Sequence, residues 1–528
     1  MKQTANKIAS YLLRPFTELL PLLLTLIILT SISAIVPYIK NHIPYSLQLI
    51  SASALISYGV TFLIGLLSQR LRKIALWGFL AVYLLTAIMS FCSYYFYGTE
   101  FNGDLAGVIA GTTHSEASEF IDYLSMGQII SLILGIILLI LSSYLVVKTL
   151  DISTMKWRRL LSTMSSVAIV LGIVLGIFLA FYKPAVYNNT FVGHIEKCGY
   201  LFENIPDLRD YPTHPELTTT APLPQNIVII IGESFSKNHS SLYNYQYPTN
   251  PRLTALRDSG ELLVFNNVTA PYIQTIECFK SIMSTYRREY GDSVNWYQCT
   301  TIPEIMNRLG YNTIWLSNQS KKGLYDNIAG RYSDLCNENL FVGNKFTGLS
   351  RSYLDEELLK LLTPIHAENN DGTNCYFIHL QGQHISFSSR YPKEMTRFTP
   401  ADYPQHSEHQ RPIIAHYDNA TYYNDSIVNE IIHTFKDDEA LIFYFSDHSL
   451  DIYDTWGDYF GNGIPTNAHS HAMGTDIPFM IYPTLKYQEK YPETTNRIKS
   501  ATNNEIHTED FIYLLMDLLG VEASTLKQ

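Results

Sequence analysis

Long uncharged apolar runs fill the first third of the chain, and short apolar runs alternating with helix-like periodicity fill the remainder. A helix needs roughly 20 apolar residues to cross a hydrocarbon core. Five segments reach that length, at about 18–38, 45–68, 74–97, 127–147 and 160–182, the second diluted by Ser, Tyr and Gly. No A-x-A-like cleavage site follows Ile35 and further apolar runs come after it, so the first segment reads as a span rather than a signal peptide. After a stretch over 184–225 with no strong period, "NIVIIIGES" (226–234) opens a different pattern. Continuous Ile-rich runs of this length suit strands buried on both faces of a parallel sheet. Similar runs stand at 312–318, 375–382, 439–448 and 477–483, with helical patterns between them at 301–310, 353–365 and 423–437. Strands alternating with helices predict a doubly wound α/β sheet.

The basic residues add orientation. Lys2, Lys7 and Arg14 precede the first span, Arg70, Arg72 and Lys73 lie between the second and third, and Lys148, Lys156, Arg158 and Arg159 between the fourth and fifth. The alternate loops carry Lys40 and, from 98 to 126, no Lys or Arg. This bias predicts a cytoplasmic N-terminus and an external domain after residue 183. The net charge of −11 argues against a nucleic-acid partner. Beyond the membrane disulfides are permitted. Among Cys198, Cys278, Cys299, Cys336 and Cys375, the short-range pair Cys278–Cys299 is an expected bridge. Cys375, inside an apolar run, reads as a buried thiol, and Cys92 as packing within a span.

In open α/β sheets, sites form beyond the carboxyl ends of strands. Here those ends read Glu233, Asn318, His379 to His384 and Asp447-His448. Carboxylates and imidazoles together suit zinc, with manganese possible. Taken singly, Glu233 reads better as a helix N-terminal residue, Asp447 as a cap and His448 as a surface imidazole; their shared sheet edge is what suggests a site.

"IVIIIGESFSKNHSSLYNYQYPTNPRL", "FIHLQGQHISFSSRYP", "YDNATYYNDSIVNEII" and "FSDHS" together resemble membrane-anchored phosphoethanolamine transferases of the alkaline phosphatase and sulfatase superfamily. The resemblance implies a five-helix transmembrane domain over 1–183, a linker over 184–225 and a periplasmic sulfatase-like catalytic domain over 226–528. It implies Thr275 in "PYIQTIECFKSIMS" as nucleophile, with Ser284 nine residues later and Thr269 or Thr285 as alternatives. It further implies Glu233, Thr275, Asp447 and His448 as metal ligands. His384 would bind the substrate phosphate or a second metal, Asn318, Gln319, Ser320 and Lys322 would contact the donor head group, and His379 would either join them or support the strand end. The family's Gly-Glu after Ser-Asp-His is Ser449-Leu450 here. An expected later His is Asn462 at the nearest spacing, leaving His469 and His471 as substitutes. The implied reaction moves phosphoethanolamine from phosphatidylethanolamine to an envelope glycolipid at the bacterial inner membrane. A phosphoglycerol transferase of the lipoteichoic-acid-synthase type and a non-catalytic sulfatase-like receptor are the rival readings.

Overall fold

The computed structural model describes residues 2–35, 43–97, 101, 109, 126–152, 163–199, 206–319, 321, 328–342, 353–454, 460–461, 468–524 and 526. Two compact units emerge, one drawn from Met1–Ile109 and Leu124–Glu203, the other containing Asn204–Gln528.

The first unit is helical: α1 (Lys2–Thr17), α2 (Leu20–Ile35), α3 (Ile43–Leu66), α4 (Gln69–Tyr97), α5 (Met126–Lys148), α6 (Thr163–Tyr182) and α7 (Phe191–Gly199). Among the described residues, three helices are long and apolar enough to cross a membrane, over Pro44–Leu66, Gln69–Tyr95 and Met126–Asp151. A pair bent by 68°, Ile8–Thr17 and Leu20–Ile35, makes a fourth if it is one span, and Ala168–Tyr182 is a shorter apolar helix. The expected count of five is therefore three to four by length. The first predicted segment stops at Ile35, before undescribed residues, and the last is described only from Thr163. Small and hydroxylated side chains join the helices: Thr30 Oγ1 lies 3.1 Å from Ser57 Oγ, and Tyr83 donates to Leu29 O at 3.0 Å. At Gly176 a Cβ would stand 2.5 Å from Ser51 O, so glycine is what lets α6 approach α3. The first part of the expected linker packs within this unit, because Phe191 of α7 meets Phe79 edge-on, ring centroids 5.0 Å apart.

The second unit is built on a seven-stranded sheet. Its strands are β1 (Asn226–Gly232), β2 (Leu263–Phe265), β3 (Asn312–Ser317), β4 (Glu338–Phe341), β5 (Asn374–His379), β6 (Ala440–Ser446) and β7 (Phe479–Pro483). Their order is β2-β7-β6-β1-β5-β3-β4, with β6, β1, β5, β3 and β4 parallel and β7 antiparallel to both neighbours. All seven residues of β1 are buried. Ile227, Ile229 and Ile231 enter one core with Phe279, Ile305, Phe443 and Phe511, while Val228 and Ile230 enter another with Leu358, Tyr376, Ile427 and Tyr444. The two-sided burial is why the strand is uninterrupted by polar residues. One face is covered by α8 (Thr275–Ile282) and α9 (Ile302–Arg308), the other by α10 (Glu356–Glu368) and the 26-residue α11 (Gln410–Phe435).

Cys278 and Cys299 are both free, which corrects the expected bridge. The Cys278 thiol points to Tyr272 O at 3.2 Å, and Cys299 Sγ lies 3.8 Å from Asn295 O, so the two sulfurs serve different loops. Cys336 and Cys375 are buried free thiols. Ile229→Ala should destabilise the second unit by about 2–5 kcal/mol, because it empties a closed core position. Thermal unfolding followed by tryptophan fluorescence should show a clearly lowered midpoint; an unchanged one would mean the strand is not held on both faces.

Candidate active site

Register places the polar groups. Gly232 pairs with Ser446 across parallel β1 and β6, so Glu233 and Asp447-His448 leave adjacent strands at the same level. Glu233, Asp447 and His448 are 1%, 0% and 2% exposed. One ligand atom from each lies within 4.8 Å of the others. From the opposite side, Thr275 opens α8 and brings Oγ1 to 3.3 Å from both Glu233 Oε2 and His448 Nε2.

Neighbouring bonds decide which atoms are left to act. Asp447 Oδ1 accepts from the backbone N–H of His448 at 2.7 Å and of Ser234 at 3.3 Å, while Oδ2 is buried without a hydrogen-bond partner. His448 Nδ1 faces Ser449 O at 3.1 Å, so Nδ1 carries a proton, and Nε2 is turned toward Glu233 at 3.3 Å. Glu233 Oε1 accepts the Ser234 hydroxyl at 2.6 Å, and Oε2 accepts Gln319 Nε2 at 3.1 Å. Ser234 sits at φ 57, a left-handed conformation costly for a side-chain-bearing residue, and Tyr417 holds it by donating to Ser234 O at 2.7 Å.

The electrostatics are unbalanced without a cation. Burial, then the Glu233 charge, pushes the Asp447 carboxyl up to about 7. Burial disfavours a charged His448, but Asp447 and Glu233 outweigh it and lift the imidazole to about 9. Burial likewise opposes ionised Glu233, yet the His448 hydrogen bond and charge, with His384, hold it well below the usual carboxylate range. Two carboxylates, an imidazole nitrogen and a hydroxyl facing one point are the donor set of a hard or borderline divalent cation. The orphaned Asp447 Oδ2 is the oxygen such an ion would satisfy. The residues fit a metal.

The other predicted residues divide. His384 is half-buried on the loop after β5, and its backbone carbonyl accepts from Arg390 Nε at 3.1 Å. His379 is fully buried against Phe279, and burial lowers its imidazole to about 4, so it is neutral. Asn318 turns away from the cluster: its Nδ2 donates to Asp355 Oδ1 and Tyr353 O, each at 2.8 Å. Ser320 and Lys322 lie outside the described residues. His469 and His471 lie in α12 (Ala468–Thr475), with side chains outside what is described. Ser284 bonds back to Lys280 O at 2.5 Å, and Thr269 Oγ1 pairs with His507 Nδ1 at 2.8 Å. Thr285 is buried, its N–H donating to Thr300 O.

Asp355 escaped sequence reasoning because an Asp at a helix start reads as an N-cap. It makes no cap bond. Instead its carboxylate accepts Gln381 N at 2.8 Å and Gly382 N at 3.0 Å, pinning the loop beside Glu233. Gly382 is at φ +50, and a Cβ there would stand 2.9 Å from both Glu233 N and O.

The fold and site are those of a sulfatase-type α/β domain. Residues 225–521 match the sulfatase family, and the chain belongs to it. It is 25% identical over 467 residues to phosphoethanolamine transferase EptC of Escherichia coli O18:K1:H7, covering 82% of this chain and 78% of that protein. The integral membrane protein lipooligosaccharide phosphoethanolamine transferase A from Neisseria meningitidis superposes with a TM-score of 0.63 over 96% of each chain, at 17% identity. The periplasmic domain of Escherichia coli EptC, crystallised in complex with zinc, gives 0.52 at 24% identity, over 60% of this chain and 88% of that one.

Gly382→Ala should cost roughly 1–2 kcal/mol from the left-handed backbone alone. The close approach to Glu233 should add to that. A lowered thermal midpoint by scanning calorimetry is the expected result, and a midpoint equal to wild type would show that the loop yields freely.

Proposed function

We propose that this protein is a metal-dependent phosphoethanolamine transferase, taking the group from phosphatidylethanolamine and delivering it to an envelope glycolipid, lipid A or the lipopolysaccharide core. The observation that carries the reading is the convergence of Glu233, Asp447 and His448 on the hydroxyl of Thr275, at the first residue of a helix. The similarity to phosphoethanolamine transferases over most of the chain supports the choice of group.

Glu233, Asp447, His448 and the Thr275 oxygen would hold a divalent cation, with zinc favoured by the mixed oxygen and nitrogen donors and manganese the alternative. Bound there, it supplies a lowered hydroxyl pKa and neutralises phosphoryl charge. Thr275 Oγ1 attacks phosphorus of the phosphodiester. Glu233 Oε2, at 3.3 Å, is placed to accept the hydroxyl proton. The bond from phosphorus to the diacylglycerol oxygen breaks, and diacylglycerol leaves with a proton for which His384 is the candidate donor. The N-terminus of α8 favours the anionic phosphoryl group now on Thr275. A hydroxyl or phosphate oxygen of the glycolipid then attacks the same phosphorus, its proton passing to His384, while the bond to Thr275 breaks and Thr275 takes its own proton back from Glu233.

Five spans, an inward N-terminus and an outward catalytic domain at the inner membrane complete the proposal. The basic-residue bias supports the orientation. Anchoring an enzyme whose two substrates are both lipid-embedded confines all three to one surface and raises their effective concentration.

Incubation with head-group-labelled phosphatidylethanolamine should label the wild-type protein and leave Thr275→Ala unlabelled; label on the alanine variant would remove Thr275 from the reaction. In cells, mass spectrometry of envelope glycolipids should show one added phosphoethanolamine with wild type and none with Thr275→Ala. Identical spectra from the two would reject the glycolipid as acceptor.

A further inference from the structure

Gln319 stands where the family resemblance places a contact to the donor head group, yet its amide is committed elsewhere. Nε2 lies 3.1 Å from Glu233 Oε2 and 3.1 Å from Leu380 O. An amide nitrogen carries two protons, and both are used here. The reversed amide would set Oε1 against a carboxylate and a carbonyl with no proton among the three, so chemistry fixes the orientation. The turn that delivers this side chain is itself clamped. Gln319 N donates to Ser317 Oγ at 3.1 Å, and the preceding Asn318 is tied to buried Asp355 and to Tyr353 O.

Resting on the reading of the site as a cation-dependent transferase, we propose that Gln319 is a positioning residue for Glu233 and not a binder of the donor phosphate. Glu233 has two oxygens with different duties. Oε1 takes the Ser234 hydroxyl at 2.6 Å, and Oε2 takes Gln319 from a separate strand end. Donors from two directions fix the rotation of the carboxylate about its terminal bond, which is otherwise soft. A fixed carboxylate presents its remaining lone pairs to the cation without reordering. Outer partners of metal-ligating groups typically contribute about 10- to 100-fold in metal affinity. The side chain is left with Oε1 alone for any further contact, and Oε1 lacks the proton that a phosphate oxygen would need.

The test uses the full chain in detergent, stripped by chelator and titrated with Zn2+ against a chromogenic zinc chelator. Gln319→Met keeps length and removes the donor; Gln319→Asn keeps the amide and shortens its reach. Both should bind zinc about 10- to 100-fold more weakly than wild type, with the thermal midpoint of the metal-free protein unchanged. At saturating zinc the KM for phosphatidylethanolamine should match wild type. Wild-type zinc affinity with a raised donor KM, in whichever variant folds, overturns the proposal in favour of a contact to the donor phosphate. A wild-type chain that takes up no zinc fails at the earlier step and takes the functional reading with it. One that binds zinc and transfers, while its variants bind zinc equally well, sinks this inference alone.

Discussion

Buried lone pairs facing one another are the constraint on which the catalytic unit depends. Asp447 uses Oδ1 on two backbone N–H groups, and His448 faces the Ser449 carbonyl through Nδ1. Asp447 Oδ2 and His448 Nε2 then meet the Glu233 carboxylate among buried side chains. Unpaired buried charge costs several kcal/mol per ion even after relaxation. Protons offset it in part, which is the origin of the raised Asp447 and His448 values. A divalent cation would offset it better, because one doubly charged ion serves several lone pairs at once. The surrounding fold is arranged to keep this repulsive cluster from relaxing apart.

Sheet order supplies most of that restraint. β1 lies between β6 and β5, so the residues after Gly232 emerge between the Asp447-His448 corner and the loop that follows His379. Ser234 in its left-handed conformation turns the chain so that one residue serves two carboxylates, through its hydroxyl to Glu233 and its N–H to Asp447. On the far side Gly382 lies against the Glu233 backbone, with Asp355 anchoring the amides before it and at it. Arg390 donates to the carbonyls of His384 and Ile385, closing the same loop. Among the proposed ligand atoms, Asp447 Oδ2 is the one left without a hydrogen-bond partner.

The legible parts of this arrangement were those encoded locally. Central strands buried on both faces must be apolar throughout, so β1, β3, β5 and β6 stand out as runs. The edge strand β4 has an exposed first residue and two half-buried ones, and β2 is three residues long, so neither leaves a pattern. β7 was visible as a run, but its antiparallel direction is set by its neighbours and not by its own residues. α11 begins at Gln410, well before the periodic stretch at 423, because its first half buries Asp418 and Asn419 in hydrogen bonds. The strand-end residues Glu233, Asp447 and His448 follow from topology rules once the strands are placed. Asp355 and the bond from Gln319 to Glu233 depend on side chains reaching across elements, and no spacing in the chain records that.

The same local geometry narrows the choice of nucleophile. The segment Thr275-Ile276-Glu277-Cys278 offers a hydroxyl, a carboxylate and a thiol within four residues. Cys278 is intrinsically the most nucleophilic of the three, but reactivity belongs to the thiolate. Its sulfur is fully buried, points to Tyr272 O, and is pushed well above its ordinary pKa by burial and then by the charge of Asp447. Glu277 is half-buried, and Lys280 holds its carboxylate at 2.6 Å along the outside of α8. A helix turns about 100° per residue, so a group two positions from Thr275 faces away from the cluster. Thr275 alone among the three has its reactive atom at the carboxylates, 3.3 Å from Glu233. An alcohol is a poor nucleophile at neutral pH, so a site that selects one must also activate it. A cation held by Glu233, Asp447 and His448 and a threonine nucleophile are therefore two parts of one proposal.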